Sequence, residues 1–150
     1  MPLSIAFGHA DRESLVLSLD LPANTDSGYE WISCRAAVHA GNFQGMADLY
    51  LEAGDLKRFS QPLEGLYRTL KGEAALDTIE GQISLKLVGD GKGHIELRGT
   101  LLDRCGDGNT LKFVLQYDQT LLWQTISALR DAISQIDSKG KSVIDPNHQS

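Results

Sequence analysis

A two-residue turn at Gly41-Asn42, flanked by long runs of alternating residue character, constrains this chain more than any other feature of its sequence. Glycine followed by asparagine favours a type II′ hairpin, because glycine supplies the positive φ at the first central position. The resulting register places small or apolar residues opposite one another on one face: Ala40 with Phe43, Val38 with Gly45, Ala36 with Ala47, Cys34 with Leu49, and Ile32 with Leu51. This face is predicted to be core, since a slip of one residue would bury Arg35 and Asp48 instead.

The opposite face of the same hairpin is predicted to be exposed, and it is the best candidate binding surface in the sequence. It combines aromatic, charged and imidazole side chains, and aromatic residues and arginine dominate interface hot spots. Its predicted binding residues are Trp31, Arg35, His39, Asp48, Tyr50 and Glu52. An ordinary solvated sheet face is the alternative interpretation of the same pattern.

The same alternation marks further antiparallel strands. Apolar residues recur at every second position in five other segments: 3–8, 14–21, 83–88, 95–101 and 111–117. With the two strands of the hairpin, these segments predict an antiparallel sheet of about seven strands in two meanders, covered on one side.

Two segments, about 55–71 and 119–136, carry apolar residues at helical spacing instead. The first joins the meanders and contains Pro62, so its helix either begins near Ser60 or bends at the proline. Asp118 is placed to cap the second helix. The chain is therefore predicted to be α+β, with both helices packed on one face of a single sheet. A curled, sandwich-like sheet is the alternative.

Length and charge limit the domain organisation and the partners. The chain of 150 residues is predicted to form a single domain over residues 1–137, followed by a mobile tail at 138–150 where the periodicity ends. A net charge of −6 disfavours nucleic acid and anionic membranes as partners but is compatible with a basic protein. The sequence shows no export signal, so a cytoplasmic location with reduced thiols is expected. It carries no signal of oligomeric state.

No motif predicts catalysis. The glycine-rich segments 89–94 and 105–109 are interpreted as turns, because they connect strands and do not lead into helices. The four histidines and two cysteines lack metal-binding spacing. The sequence therefore predicts no catalytic residue, no metal and no cofactor. The nearest approach to a catalytic arrangement is a histidine with an aspartate, either His39 with Asp48 or His94 with Asp118.

A longer pattern, over about residues 31–129, resembles a known family. Its parts are Trp31, GNFQG at 41–45, DLKRFSQPLEGL at 55–66, GHIELRG at 93–99 and YDQTLL at 117–122. Together they resemble a family of small uncharacterised bacterial proteins that includes WapI-type immunity proteins. The resemblance implies a non-enzymatic cytoplasmic protein that binds and neutralises a cognate toxin domain. The alternative is a small-molecule binding or sensor domain, with a pocket between sheet and helices near Trp31, His39 or Trp123.

Overall fold

The computed structural model describes residues 3–9, 12–21, 31–78 and 80–144, with side chains up to residue 137. Four strands followed by one helix occur twice within these residues. The first unit comprises β1 (Leu3–Gly8), β2 (Ser14–Asp20), β3 (Trp31–Ala40), β4 (Phe43–Glu52) and α1 (Ala53–Thr69). The second unit comprises β5 (Lys71–Asp77), β6 (Ile83–Asp90), β7 (His94–Leu102), β8 (Thr110–Asp118) and α2 (Gln119–Ile144).

Each group of four strands forms its own antiparallel sheet, in which neighbours in sequence are neighbours in space. The α+β class and the two meanders are confirmed. The structure has eight strands and not seven, because β5 was not predicted. Its sequence KGEAALD offers only Ala74 and Leu76 to the core, and so short an apolar alternation is not distinctive in sequence. The strands form two sheets, so the predicted single sheet with both helices on one face was wrong.

The β3–β4 hairpin has the predicted register throughout, from Trp31 opposite Glu52 to Ala40 opposite Phe43. Gly41 has a φ of 62°, as the first central position of a type II′ turn requires. Cys34 is buried, as predicted from its face. The inward face is less covered at the hairpin tip, where Phe43 is 69% exposed.

Helix α1 is continuous from Ala53 to Thr69 and contains Pro62. A start near Ser60 was therefore the wrong alternative. The helix begins instead at a reciprocal cap, in which the carboxylate of Asp55 accepts the backbone N–H of Glu52 at 2.9 Å. Such a cap satisfies donors that the first turn leaves without intrahelical partners.

Helix α2 begins as predicted and ends later. Asp118 caps it by accepting the backbone N–H of Thr120 at 3.2 Å. The helix continues to Ile144, so that 138–144, predicted to belong to a mobile tail, is helical. The mobility of that tail stays a prediction, and 145–150 lies outside the described residues. No helix among the described residues is both long and apolar enough to cross a membrane.

The helices are exchanged between the two sheets. Helix α1 follows the first sheet but packs along β5 of the second, whereas α2 follows the second sheet and packs along β1 of the first. The Thr125 hydroxyl of α2 donates to the carbonyl oxygen of Ala6 in β1 at 2.6 Å. The buried sides of both helices and both sheets form one continuous hydrophobic core.

The two helices also pack against each other, and they run antiparallel. Their paired side chains are Lys57 with Asp137, Glu64 with Arg130, and Tyr67 with Trp123. Residue numbers rise along α1 as they fall along α2, which is the signature of antiparallel neighbours. The inner sides of both sheets therefore face the core, and within the described residues neither helix covers the outer faces.

Candidate functional site

The six predicted binding residues lie on the outer face of β3 and β4, here called the hairpin face. Trp31 pairs with Glu52 and Arg35 pairs with Asp48 directly across the strands, while His39 lies opposite Gln44. The hairpin register therefore brings together the residues that the alternation selected: Trp31, Arg35, His39, Asp48, Tyr50 and Glu52. Their role in binding stays a prediction.

Arg35 and Asp48 form a two-point ion pair at the centre of the hairpin face. Arginine Nε lies 2.8 Å from Oδ1 of the aspartate, and Nη2 lies 3.3 Å from Oδ2. The hydrogen bond to Arg35, followed by its charge, holds the pKa of Asp48 below its ordinary value. The same bond raises the pKa of Arg35. Both side chains are largely exposed, so the pair presents a fixed donor and acceptor pattern to a partner.

His39 borders a hollow of about 470 Å³ on the outer face of the first sheet. Its lining includes Ser14 and Val16 from β2, and Ala37 and Met46 from the hairpin. The predicted small-molecule pocket was expected elsewhere, between the sheet and the helices. Trp123, the third residue named for that pocket, lies on α2, where it packs on Tyr67 with ring centroids 5.5 Å apart.

Exposed apolar surface concentrates on the hairpin. Of the seven large apolar side chains that are exposed in the described part of the chain, four belong to it: Phe43, Met46, Tyr50 and Trp31. Met46, Tyr50 and Trp31 belong to the outer face, whereas Phe43 belongs to the inward face at the hairpin tip. Exposed apolar side chains on one face of a folded domain are a feature of interaction sites. Met46 and Phe43 were absent from the predicted site, although the alternation that placed Tyr50 on the outer face also places Met46 there.

The predicted site also lacked a row of apolar residues that crosses the outer face of the first sheet. This row, here called the apolar band, consists of Ala6, Val16, Ala37 and Met46. Each strand of the first sheet contributes one member. The hairpin alone could not reveal it, because half of the band lies on β1 and β2. The missing information was the register of β2 against β3, which places Val16 opposite Ala37.

Neither histidine–aspartate pair considered from the sequence forms a hydrogen bond among the described side chains. His94 Nε2 lies 2.6 Å from Oε1 of Gln116, and the carboxylate of Asp118 accepts from Thr120. Both oxygens of Asp48 are engaged by Arg35. The described residues also contain no group of three or more metal-ligating side chains arranged to hold an ion.

The architecture defines a class of α+β proteins in which a four-stranded meander and a helix occur twice, and solved structures share it. The plant transcriptional regulator PBF-2 has a TM-score of 0.55 at 13% identity, covering 100% of this chain and 90% of that chain. MRP1/MRP2 of Trypanosoma bruciei has a TM-score of 0.50 at 12% identity, covering 89% of this chain and 84% of that chain. At such identities the likeness shows the fold alone.

Residues 8–137 match the immunity protein WapI-like family. The match spans most of the chain, and the chain therefore belongs to this family. The resemblance noted from Trp31 onward is confirmed, and the match also includes β2 and the last residue of β1. No curated protein matches the chain.

Proposed function

We propose that this protein is an immunity protein that binds a cognate toxin domain and neutralises it without catalysing a reaction. The observation that carries the proposal is its membership of the immunity protein WapI-like family over residues 8–137. The exposed large apolar side chains on the outer face of the hairpin, Trp31, Met46 and Tyr50, support the same conclusion, because they supply a surface suited to a protein partner.

The hairpin face is the proposed centre of the contact. Trp31 and Tyr50 offer aromatic area, and Arg35 is held in place by Asp48. Side chains that are already ordered lose little freedom on binding, which favours affinity.

A partner with a basic surface is proposed from the net charge of −6, since opposite charge speeds association. Two free thiols, Cys34 and Cys105, are compatible with a cytoplasmic location.

A protein partner suits this surface better than a small molecule does. Ligand pockets bury most of the ligand surface in a concave cavity. The hollow beside His39 is instead a shallow depression on a sheet face, bordered by the exposed side chain of Met46. Such a depression can receive a side chain that projects from a larger partner.

The proposal is tested by co-expression. The C-terminal portion of the product encoded immediately upstream is expressed in a host cell with and without this protein. Growth should stop without the protein and resume with it. A harmless upstream product, or growth arrest that the protein does not relieve, would contradict the immunity function.

The contact surface is tested with two matched variants. Trp31→Ala with Tyr50→Ala removes aromatic area from the hairpin face, whereas Val88→Ala with Val114→Ala removes exposed apolar area from the second sheet. The first pair should lose protection in the co-expression assay while the second retains it. Equal protection by both pairs, at equal thermal stability, would remove the hairpin face from the proposal and leave the immunity function standing.

A further inference from the structure

The apolar band crosses the outer face of the first sheet at right angles to its strands. Ala6 pairs with Val16, Val16 with Ala37, and Ala37 with Met46. Three gaps between strands, at about 4.8 Å each, make the band about 14 Å long. Val16 and Ala37 are half-buried, and Ala6 and Met46 are exposed at its two ends. The small side chains keep its floor low, so that the backbone of a partner can approach closely.

Rows that are polar except at Gly8 border the apolar band on both sides. One flanking row consists of Ser4, Ser18, Arg35 and Asp48, and the other consists of Gly8, Ser14, His39 and Gln44. Residues two apart along a strand are separated by about 7 Å. The two flanking rows are therefore about 14 Å apart, which leaves room between them for a single helix, whose diameter with side chains is about 10–12 Å.

The edges of this sheet are less available than its face. At β1, the carbonyl of Ala6 accepts the hydroxyl of Thr125, and α2 packs along the strand. At β4, the carbonyl of Asp48 accepts the side-chain amide of Gln82 at 3.0 Å. A partner that added a strand would need such edge carbonyls for its own hydrogen bonds. Docking on the face requires none of them.

Charge on this outer face is uneven along the strands. Beyond the Arg35 row lie Asp20 on β2 and Glu52 on β4, in the region of Trp31 and Tyr50. The charge of Asp48 is paired with that of Arg35. The excess negative charge at this end therefore comes from Asp20 and from Glu52, whose side chain also takes part in the cap of α1. The other end, around His39 and Gln44, has no carboxylate among its paired residues.

We propose that the apolar band receives one amphipathic helix of the partner, with its apolar stripe on Val16 and Met46 and its basic residues toward Asp20 and Glu52. The inference rests on the proposed function, since the partner is the toxin domain. A length of about 14 Å corresponds to about nine residues of helix, which is enough for anchors at i, i+3 or i+4, and i+7. Because the band crosses the strands at right angles, Asp20 and Glu52 lie along one side of the docked helix and determine which of its sides carries the basic residues.

The test compares association and dissociation rates of the full chain and the purified toxin domain at several salt concentrations. Val16→Thr with Met46→Gln makes the apolar band polar with little change of shape. This variant should dissociate at least about tenfold faster, with an unchanged salt dependence of association. Asp20→Asn should slow association and flatten its salt dependence, with little effect on dissociation. Val88→Thr with Val114→Thr, on the second sheet, is the control and should change neither rate.

Amide hydrogen exchange of the toxin domain in the complex identifies the segment that docks. Protection of an amphipathic helix supports the inference, and protection of an edge strand instead would overturn it. Wild-type dissociation by the Val16 and Met46 variant would also overturn it while leaving the immunity function intact. Absence of any complex between the wild-type chain and the toxin domain would overturn both.

Discussion

The side-chain amide of Gln82 lies 3.0 Å from the backbone carbonyl oxygen of Asp48 and joins the two sheets. Gln82 precedes β6 in the second sheet, whereas Asp48 belongs to β4, an edge strand of the first. The same nitrogen also donates to the carbonyl of Leu102 at 3.0 Å, and the residue is buried. One amide group therefore satisfies a carbonyl from each sheet.

Replacement of Gln82 by leucine should destabilise the fold by about 1–3 kcal/mol, because two carbonyl oxygens would lose their donor at a buried position. The free energy of unfolding is measured by urea denaturation. Gln61→Leu, at an exposed position of α1, is the matched control and should have little effect. Equal effects of the two substitutions would show that the amide of Gln82 does not hold the sheets together.

Two glycine-to-alanine substitutions, at Gly99 and at Gly65, should change the stability of the fold in opposite directions. Gly99 in β7 lies opposite Phe113 in β8, and a Cβ added at Gly99 would overlap the phenylalanine ring. Gly99→Ala should cost about 1–3 kcal/mol through overpacking. Gly65 in α1 has open space at the same position, and Gly65→Ala should stabilise the protein by about 0.5–1 kcal/mol through helix propensity. Thermal unfolding that shifts both variants in the same direction would contradict this account.

The sequence predicts those parts of the fold whose cause is local. The turn at Gly41-Asn42 and the alternation around it determine the register of β3 and β4, and Asp118 marks the start of α2. The way in which the two sheets are joined is not local, because it involves α1 packing along β5 and the amide of Gln82 reaching β4. Contacts of that kind leave no periodic signal in the sequence.

The candidate site also has one part that could be predicted from local sequence and one part that could not. Tyr50 and Arg35 could be assigned to one surface because a single turn fixes the strands that carry them. Val16 could not be added to that surface, because its outward neighbour Ala37 depends on how β2 pairs with β3 across the segment 22–30. The first half of the site is thus a consequence of hairpin geometry, and the second half of the order of strands in the sheet.

Cys34 should make the fold less stable at alkaline pH. Burial, with a further contribution from the charge of Asp48, raises the pKa of this thiol from 9.0 to about 12. The native state therefore keeps its proton when the unfolded chain has released it. The stabilisation is complete below about pH 9 and is lost as the pH rises toward 12, at up to about 1.4 kcal/mol per pH unit. Urea unfolding at a series of pH values should show the decline.

Cys34→Val isolates this contribution, because valine has a similar size and does not titrate. The variant should lose less stability than the wild-type protein between pH 9 and the upper end of the series. Cys105 is exposed, and a hydrogen bond to Glu80 is the main cause that raises the pKa of its thiol. Cys105→Ser should therefore reduce the alkaline decline less than Cys34→Val does. Parallel curves for the wild-type protein and Cys34→Val would show that the buried thiol contributes nothing to it.

The hydroxyl of Tyr117 is buried and has no hydrogen-bond partner among the described protein atoms. Burial also raises the pKa of this phenol well above its ordinary value. A buried hydroxyl without a partner costs free energy, so Tyr117→Phe should stabilise the fold by about 1 kcal/mol and reduce the alkaline decline further. Tyr50→Phe, at an exposed ring, should leave the stability at neutral pH nearly unchanged. A loss of stability in Tyr117→Phe, measured by urea denaturation at neutral pH, would show that the hydroxyl makes a favourable contact in solution.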